Sequence, residues 1–380
     1  MIKQTLLAPG PTPVPPEVLL EMAMPMMHHR TPAFSAILDD TSARLKRLYK
    51  TEQPVLMLAT SATGAMEAAV ANLLAPGEKG LAINGGKFGE RWRNILKAYG
   101  FPFATVDVEW GKACTADDVK KALDADPSIK AVFMQGCDTS TATRFPIEDV
   151  AKITRERDVL LVVDGVTSVG VWDIPMDALG IDCLVCGSQK ALMLPPGLAT
   201  IALSERAWKK SEQSKSTKFY LNLSKELKAQ RDESTTAWTP AVSLIIGLRR
   251  ALTMMETEGW EQMYKRHDVL ARATQAGFQA LGMKLLSEKP SPSVTAAYMP
   301  EGVDGSKLFK YLRDKLGVTM AGGQDALKGK ILRVGHMGYV DVFDIYTGFA
   351  AIELALHKLG HKVEFGAAAR AMGPIMAELA

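Results

Sequence analysis

The chain of 380 residues is short of cysteine, with 4, and of aromatic residues, at 7%, and its 45 Lys+Arg against 42 Asp+Glu leave a net charge of only +3. Each shortage excludes something. So few cysteines cannot staple a chain of this length, which removes a disulfide scaffold. A nearly balanced charge offers no general attraction to phosphate backbones or anionic lipid, which argues against nucleic acid and membrane as partners. No apolar run reaches the ~20 residues that a membrane helix requires. The opening MIKQTLLAPGPTPVPP breaks into prolines where a signal peptide would continue its apolar stretch. What is present, 47% hydrophobic and 23% charged residues, is too apolar for disorder and ample for a large core. The expectation is a cytoplasmic α/β protein of two or three domains at ~150 residues each.

Cys183 and Cys186 form a C-x-x-C, a spacing used for zinc or redox chemistry. Zinc needs two further ligands, and Cys114 and Cys137 stand alone. The pair also lies inside Ile181-Asp182-Cys183-Leu184-Val185-Cys186-Gly187, which reads as a buried strand, so plain buried thiols are expected and no metal.

Two periodicities alternate along the chain. Helical patterns fall at 34–50, 64–75, 88–99, 115–125, 147–157 and 240–257. Between them stand Val55–Ala59, Gly80–Ile83, Phe103–Val106, Ala131–Met134, Val159–Val163 and Ile181–Cys186, with Leu198–Leu203 as one more candidate strand. Apolar runs without polar alternation imply strands covered on both faces, hence a mostly parallel, doubly wound α/β sheet. Residues 205–236 read as a surface helix and a connection. From 258 the pattern changes to a smaller α+β unit, with helices at 258–281, 305–316 and 342–358 and strands near 294–298, 317–320 and 330–335. The expected division is an N-terminal arm (1–15) packing on the small domain, a large domain (16–257) and a small C-terminal domain (258–380) that ends in an Ala-rich tail.

In open α/β sheets, ligands bind outside the carboxyl ends of the strands. The polar residues there are Ser61-Ala62-Thr63, Asn84 to Phe88, Asp138 to Thr141, Asp164, and Ser188-Gln189-Lys190. Ser61-Ala62-Thr63-Gly64 opens a helix whose free amides and positive dipole end suit a phosphate; an ordinary N-cap is the alternative. No dinucleotide or nucleotide-triphosphate fingerprint is present, which disfavours a Rossmann dehydrogenase. Asp164 ends an apolar run and suits a turn cap, a metal or a cationic heterocycle. Lys190, in the largely uncharged stretch 183–203, needs a partner or a lowered pKa, and a desolvated amine is a candidate Schiff-base former.

These residues resemble a known family. Val163-Asp164-Gly165-Val166-Thr167-Ser168, Gly187-Ser188-Gln189-Lys190-Ala191-Leu192 and Pro195-Pro196-Gly197 look like the cofactor motifs of class V, fold-type I pyridoxal-phosphate enzymes, nearest to the alanine–glyoxylate and serine–glyoxylate aminotransferase group. The likeness runs nearly end to end, through Ala8-Pro9-Gly10-Pro11-Thr12, Ser61–Glu67, Asn84–Arg91, Asp138–Ala142, Trp238-Thr239-Pro240 and Leu332–Gly338.

The resemblance implies a role for each matching position. Lys190 would carry the pyridoxal 5′-phosphate as a Schiff base and, once freed, shuttle the substrate proton. Asp164 would keep the pyridine nitrogen protonated. Phe88 would stack on the ring where relatives often have tryptophan, with Thr139 and Val166 beside it. Ser61, Ala62, Thr63 and Gln189 would hold the phosphate, and Thr239 would reach it from the second subunit of a homodimer, with Thr236 as the fallback. For Thr239 an N-cap ahead of Pro240 is the plain alternative. Arg333 would clasp the substrate carboxylate, a task suited to its planar fork, with Gly10 nearby. Ala62 and Ala142 stand where glycine is common.

The expected activity is transfer of an amino group from alanine or serine to glyoxylate or pyruvate. An aspartate-type or broad-specificity aminotransferase and a non-catalytic hydrogenase-associated homologue are the alternatives. A cysteine desulfurase is disfavoured, since no cysteine follows Cys186. His28-His29-Arg30 reads as a partly solvated turn or a neighbour of the substrate mouth. His336 reads as a packing or hydrogen-bonding residue, and His267, His357 and His361 as helix-surface positions. The 19 methionines read as core filler.

Overall fold

Successive side chains of a strand point to opposite faces, so an unbroken apolar run feeds two cores. In the computed structural model, which describes residues 3–380, this is what the runs do. Val132, Met134, Leu161, Val163, Leu184 and Cys186 share one apolar cluster, while Ala131, Phe133, Leu160, Val162, Cys183 and Val185 share another. The strands are β2 (Val55–Leu58), β3 (Lys79–Asn84), β4 (Phe103–Asp107), β5 (Ile129–Gln135), β6 (Leu160–Asp164), β7 (Cys183–Gly187) and β8 (Ala199–Leu203), after a short β1 (Thr5–Leu6). They form one seven-stranded sheet in the order β2-β8-β7-β6-β5-β3-β4. All its pairings are parallel except those of β8, which runs against both β2 and β7. Only the edge strand β4 is half-exposed throughout.

The longer helices in this half are α1 (Pro16–Met22), α2 (Pro32–Tyr49), α3 (Ala62–Leu73), α4 (Lys87–Ala98), α5 (Ala116–Ala125), α6 (Ile147–Glu156) and α7 (Glu205–Gln213). Several begin on side-chain caps. Thr31 accepts from Phe34 ahead of Pro32, and Thr115 and Asp118 form a reciprocal box. Helices α1, α3, α4 and α6 receive no such bond from their own N-cap, which in α3 is Ser61. The first amides of α3 are therefore left for something other than their own cap.

Helices α8 (Val242–Glu258) and α9 (Trp260–Ala280) lead to the C-terminal elements: β9 (Val294–Tyr298), α10 (Gly305–Leu316), β10 (Val318–Thr319), β11 (Ala321–Gly322), β12 (Ile331–Gly335), α11 (Val342–Lys358) and α12 (Ala367–Met376). Strands β9, β12 and β11 make a three-stranded antiparallel sheet, in that order. The N-terminal arm joins this half, since β1 pairs in parallel with β10 and Leu7 lies in the same apolar cluster as Val334, Ile345 and Phe349.

Three details depart from the sequence reading and one goes beyond it. Within the Ala-rich tail, α12 packs against α9, burying Ala368, Met372 and Met376. His267 on α9 is buried and accepts the Gly338 N–H at 3.0 Å, so it is no surface residue. His361 lies beyond the end of α11, on a turn whose N–H bonds Leu356. Helix α8 starts at Val242 with Ala241 as N-cap, so Thr239 is not a cap. The segment before it is held irregular by bonds from the Thr236 hydroxyl to the Trp238 carbonyl (2.6 Å) and from the Trp238 indole to the Tyr220 carbonyl (3.0 Å).

At the amino edge of the sheet, far along the strands from the residues of interest, Asp182 ties three strands together. Its buried carboxylate accepts the Leu161 N–H of β6 (2.8 Å), the Ser204 hydroxyl beyond β8 (2.7 Å) and a two-pronged bond from Arg206 (2.6 Å each). Asp182→Ala strands a partly buried guanidinium and a strand amide, and should cost about 3–5 kcal/mol in a denaturant titration. The same variant should keep its ligand chemistry at pH 7, because the opposite strand ends are untouched.

Candidate active site

At the carboxyl end of β7 the backbone at Gly187 leaves little room for a side chain. A Cβ placed on Gly187 would meet Ala62 (3.0 Å), the Gln189 side-chain oxygen (3.1 Å) and Val166 (3.7 Å), so the start of α3, the Asp164 turn and the Lys190 turn converge there. Ser61 is exposed and makes no cap bond, Ala62 opens the helix, and Thr63 accepts a bond from Arg91 (3.2 Å). The Gln189 Oε1 is buried with no partner among the described residues. An uncapped helix start, with the free N–H groups of its first residues, suits a bound anion.

Asp164 ends β6, 4% exposed, with one oxygen accepting the Val166 N–H at 2.9 Å. Burial pushes its carboxyl up to about 6, against which that bond and the Arg91 charge pull down. Lys190 is 9% exposed; burial and then the Arg333 charge bring its amine down to about 8, while Asp164 pulls the other way. The acid, the lysine and both arginines thus lie within reach of each other's fields. The arm closes over them. The Lys190 amine donates to the Pro9 carbonyl, the Thr12 hydroxyl to the Lys190 carbonyl (2.8 Å), and the Thr12 N–H to the Gln189 carbonyl (3.1 Å). Gly10, at φ +127°, has no space for a side chain: a Cβ would fall 2.1 Å from the Lys190 Nζ.

The turn after β5 carries the other half of the site. Asp138, fully buried, accepts the N–H groups of Phe88 (3.0 Å), Gly89 (3.2 Å) and Ser140 (3.1 Å) and the Ser140 hydroxyl (2.5 Å). It therefore caps α4 and fixes Phe88, the second residue of that helix. Next to it Thr139 is buried, its hydroxyl 3.1 Å from that of Thr167 and its carbonyl accepting Arg333 Nη1 at 2.7 Å. Arg333, on β12 and 7% exposed, also donates Nε to the Gly322 carbonyl (2.9 Å), leaving Nη2 without a partner among the described residues. Ala142, at φ +58°, takes the left-handed conformation that glycine adopts freely, at a cost of roughly 1–2 kcal/mol.

Thr239 is not brought to this group within one chain. It lines an open groove of about 650 Å³ with Met26, Met27, His28 and His29, whose imidazoles stack at 4.8 Å, and a second pocket with Leu58, Ala59 and Tyr220. His336 is buried and bonds Thr295 (2.9 Å), as a hydrogen-bonding residue should. All four cysteines are buried thiols. Sequence reasoning gave no role to Asp138, to the Pro9 carbonyl or to Arg91. Asp138 had one legible signal, a carboxylate directly after a strand run; the others depend on contacts between distant segments.

The donor set fits a flat cationic heterocycle bearing a phosphate: a buried acid, a lysine of lowered pKa, an aromatic ring and an uncapped helix start. Comparison with known proteins agrees. Residues 5–344 match the aminotransferase class-V family. An uncharacterized aminotransferase of Methanocaldococcus jannaschii is 42% identical over 96% of this chain and 95% of its own. A soluble hydrogenase 42 kDa subunit of Anabaena cylindrica is 40% identical (95% of each), and a serine–glyoxylate aminotransferase of Methylorubrum extorquens is 32% identical (98% and 96%). The solved structure of ureidoglycine–glyoxylate aminotransferase from Bacillus subtilis superposes with a TM-score of 0.95 at 27% identity, over 99% of both chains. The chain belongs to the class-V aminotransferases, fold-type I transaminases that work with pyridoxal phosphate.

Proposed function

We propose that the chain moves the amino group of a small amino acid, alanine or serine, to glyoxylate or pyruvate. The observation that carries this reading is the Arg333 fork, held by the Thr139 and Gly322 carbonyls with its Nη2 edge open beside Lys190. Its Nη2, with the second hydrogen of Nη1, is the edge that can meet a carboxylate. Glyoxylate, named as acceptor for the serine-dependent and ureidoglycine-dependent relatives, presents one carboxylate and little else.

In this reading Ser61, Ala62, Thr63 and Gln189 hold the cofactor phosphate, with Thr239 of a second copy. Phe88, Thr139 and Val166 flank the ring. Bound there, the cofactor supplies an electron sink for the carbanion left when the substrate loses its α-proton. Asp164 holds a proton on the ring nitrogen. Lys190, near its neutral form at pH 8 because it is desolvated, takes the proton from the substrate α-carbon. Gly10 keeps the space above the Lys190 amine clear. Residues 16–257 supply the cofactor groups; 258–380, with the arm 1–15, supply Arg333. The assembly is a cytoplasmic homodimer.

A second reading, an aspartate-type donor, has one observation in its favour: Arg91, near the same group, makes no ion pair among the described residues. The desulfurase reading lacks a nucleophile, since burial pushes Cys186 up to about 12 and Cys137 up to about 11. The hydrogenase-associated reading does not explain why the acid, amine and arginine remain arranged together.

Three outcomes are expected. Purified protein with pyridoxal phosphate should absorb in the visible, and Lys190→Ala should lose that band; a wild type that stays colourless would sink the assignment. In single-turnover mixing with each amino acid in turn, alanine or serine should bleach the band faster than aspartate, and Arg333→Gln should lower that reaction's second-order rate roughly 100-fold, as loss of a charge-assisted pair does. For Asp164 the sign follows from its raised pKa: the penalty is absent below the ordinary value of 3.8, grows as pH rises through about 6 and is full above it. Ligand-free Asp164→Asn should then be more stable than wild type by up to about 3 kcal/mol at pH 7, with no difference near pH 4, while binding the cofactor less well. Urea titrations at the two pH values check it.

A further inference from the structure

Arg91 stands three residues after Phe88 on α4, so the two side chains leave the same face of the helix. Its guanidinium carbon lies 4.7 Å from the centre of the Phe88 ring, and its Nη1 donates to the Thr63 hydroxyl at 3.2 Å. The side chain is half-buried and makes no ion pair among the described residues. Its neighbour Lys87 is different, paired with Glu90 (2.6 Å) and, across to the C-terminal half, with Asp325 (2.7 Å). The charge of Arg91 also reaches into the site, where both Asp164 and Lys190 feel it.

The groups assigned to the cofactor phosphate, namely Ser61, Ala62, Thr63 and Gln189, carry no formal charge. A phosphate monoester carries about −1.5 to −2 at neutral pH. Placing that charge in a partly desolvated pocket with only neutral donors is costly, and a guanidinium is the group best shaped to offset it. We propose that Arg91 is the cationic partner of the cofactor phosphate, reaching it beside Thr63, and that the same contact holds Phe88 in its stacking position. This rests on the reading that Lys190 and the 61–63 turn hold the cofactor. A residue that merely packed on Phe88 would have no use for the Thr63 bond, and one that served a substrate carboxylate would face Arg333 and not the start of α3.

The test compares wild type, Arg91→Gln and Arg91→Lys, each freed of cofactor and checked for equal thermal unfolding. Dissociation constants are measured for pyridoxal phosphate, for pyridoxal, which lacks the phosphate, and for inorganic phosphate as competitor. Arg91→Gln should weaken pyridoxal phosphate roughly 10- to 100-fold while changing pyridoxal by less than about threefold, the loss expected for one charge-assisted contact. Inorganic phosphate should compete in wild type and hardly at all in the variant. Arg91→Lys should recover part of the loss, since a point charge lacks the fork. Equal loss for both aldehydes overturns the proposal, as does an unchanged cofactor affinity with a raised KM for aspartate alone, which assigns Arg91 to a substrate side chain. A wild type that binds neither aldehyde covalently defeats the underlying reading of the site instead.

Discussion

A sheet covered on both faces leaves few places where polar side chains can meet inside the molecule, and the row of strand ends is the main one. Every charge put there is desolvated, and the three that define this site respond accordingly. Asp164 is pushed up to about 6, Lys190 down to about 8, and Arg333 below its ordinary value, in each case with burial as the largest cause. None is fully satisfied by the protein alone. Asp164 has one backbone N–H, Lys190 a backbone carbonyl, and Arg333 two carbonyls along part of its fork. The ligand-free site is thus held in an electrostatically unfinished state, which a protonated ring nitrogen, an aldehyde and a carboxylate would each relieve. Stability is given up here for chemistry, as at other preorganised sites.

The unfinished charges stay in place because neighbouring ones are finished. Asp138 is a buried carboxylate too, but three N–H groups and a hydroxyl surround it. Through the first it fixes the start of α4 and Phe88; through its own turn it presents the Thr139 carbonyl to Arg333. One satisfied anion therefore sets the positions of the Phe88 ring and of the Arg333 guanidinium together. A Cβ on Gly86 would fall within 2.5 Å of three Asp138 carboxyl atoms, which shows how closely α4 is drawn onto that turn.

How much of this could be read in the sequence depended on whether a residue's signal is local. The sheet strands were visible because long apolar runs have no other explanation, and Asp164 and Lys190 were visible because a polar residue ending such a run stands out. Strand direction was less so: nothing local tells that β8 runs antiparallel. His267 sits on a helix with mixed polarity, and only a tertiary contact, its bond from the Gly338 N–H, marks it as interior. Thr239 before Pro240 has the pattern of a helix cap, yet tertiary bonds from Thr236 and Trp238 override it. Asp138 and Arg91 carry their meaning in contacts across 49 or 50 residues and 28 residues of chain, which periodicity cannot reveal.

The N-terminal arm bears on which substrates the site accepts. The Gly335 N–H, two residues beyond Arg333, bonds the Leu7 carbonyl (2.7 Å), and the Pro9 carbonyl two residues further receives the Lys190 amine. Thr12 then bonds the backbone on both sides of the Gln189–Lys190 link. A chain of single contacts thus runs from the Arg333 strand to the Lys190 amine, and the arm sets their separation. A rigid separation suits a substrate whose carboxylate and α-carbon are adjacent atoms, common to every α-amino acid, and leaves side-chain choice to the remaining walls. Those walls include the arm at Gly10, where any Cβ would strike Lys190. Space is scarce beside the Lys190 amine, so the backbone of the arm, and no side chain on it, limits what can approach that amine.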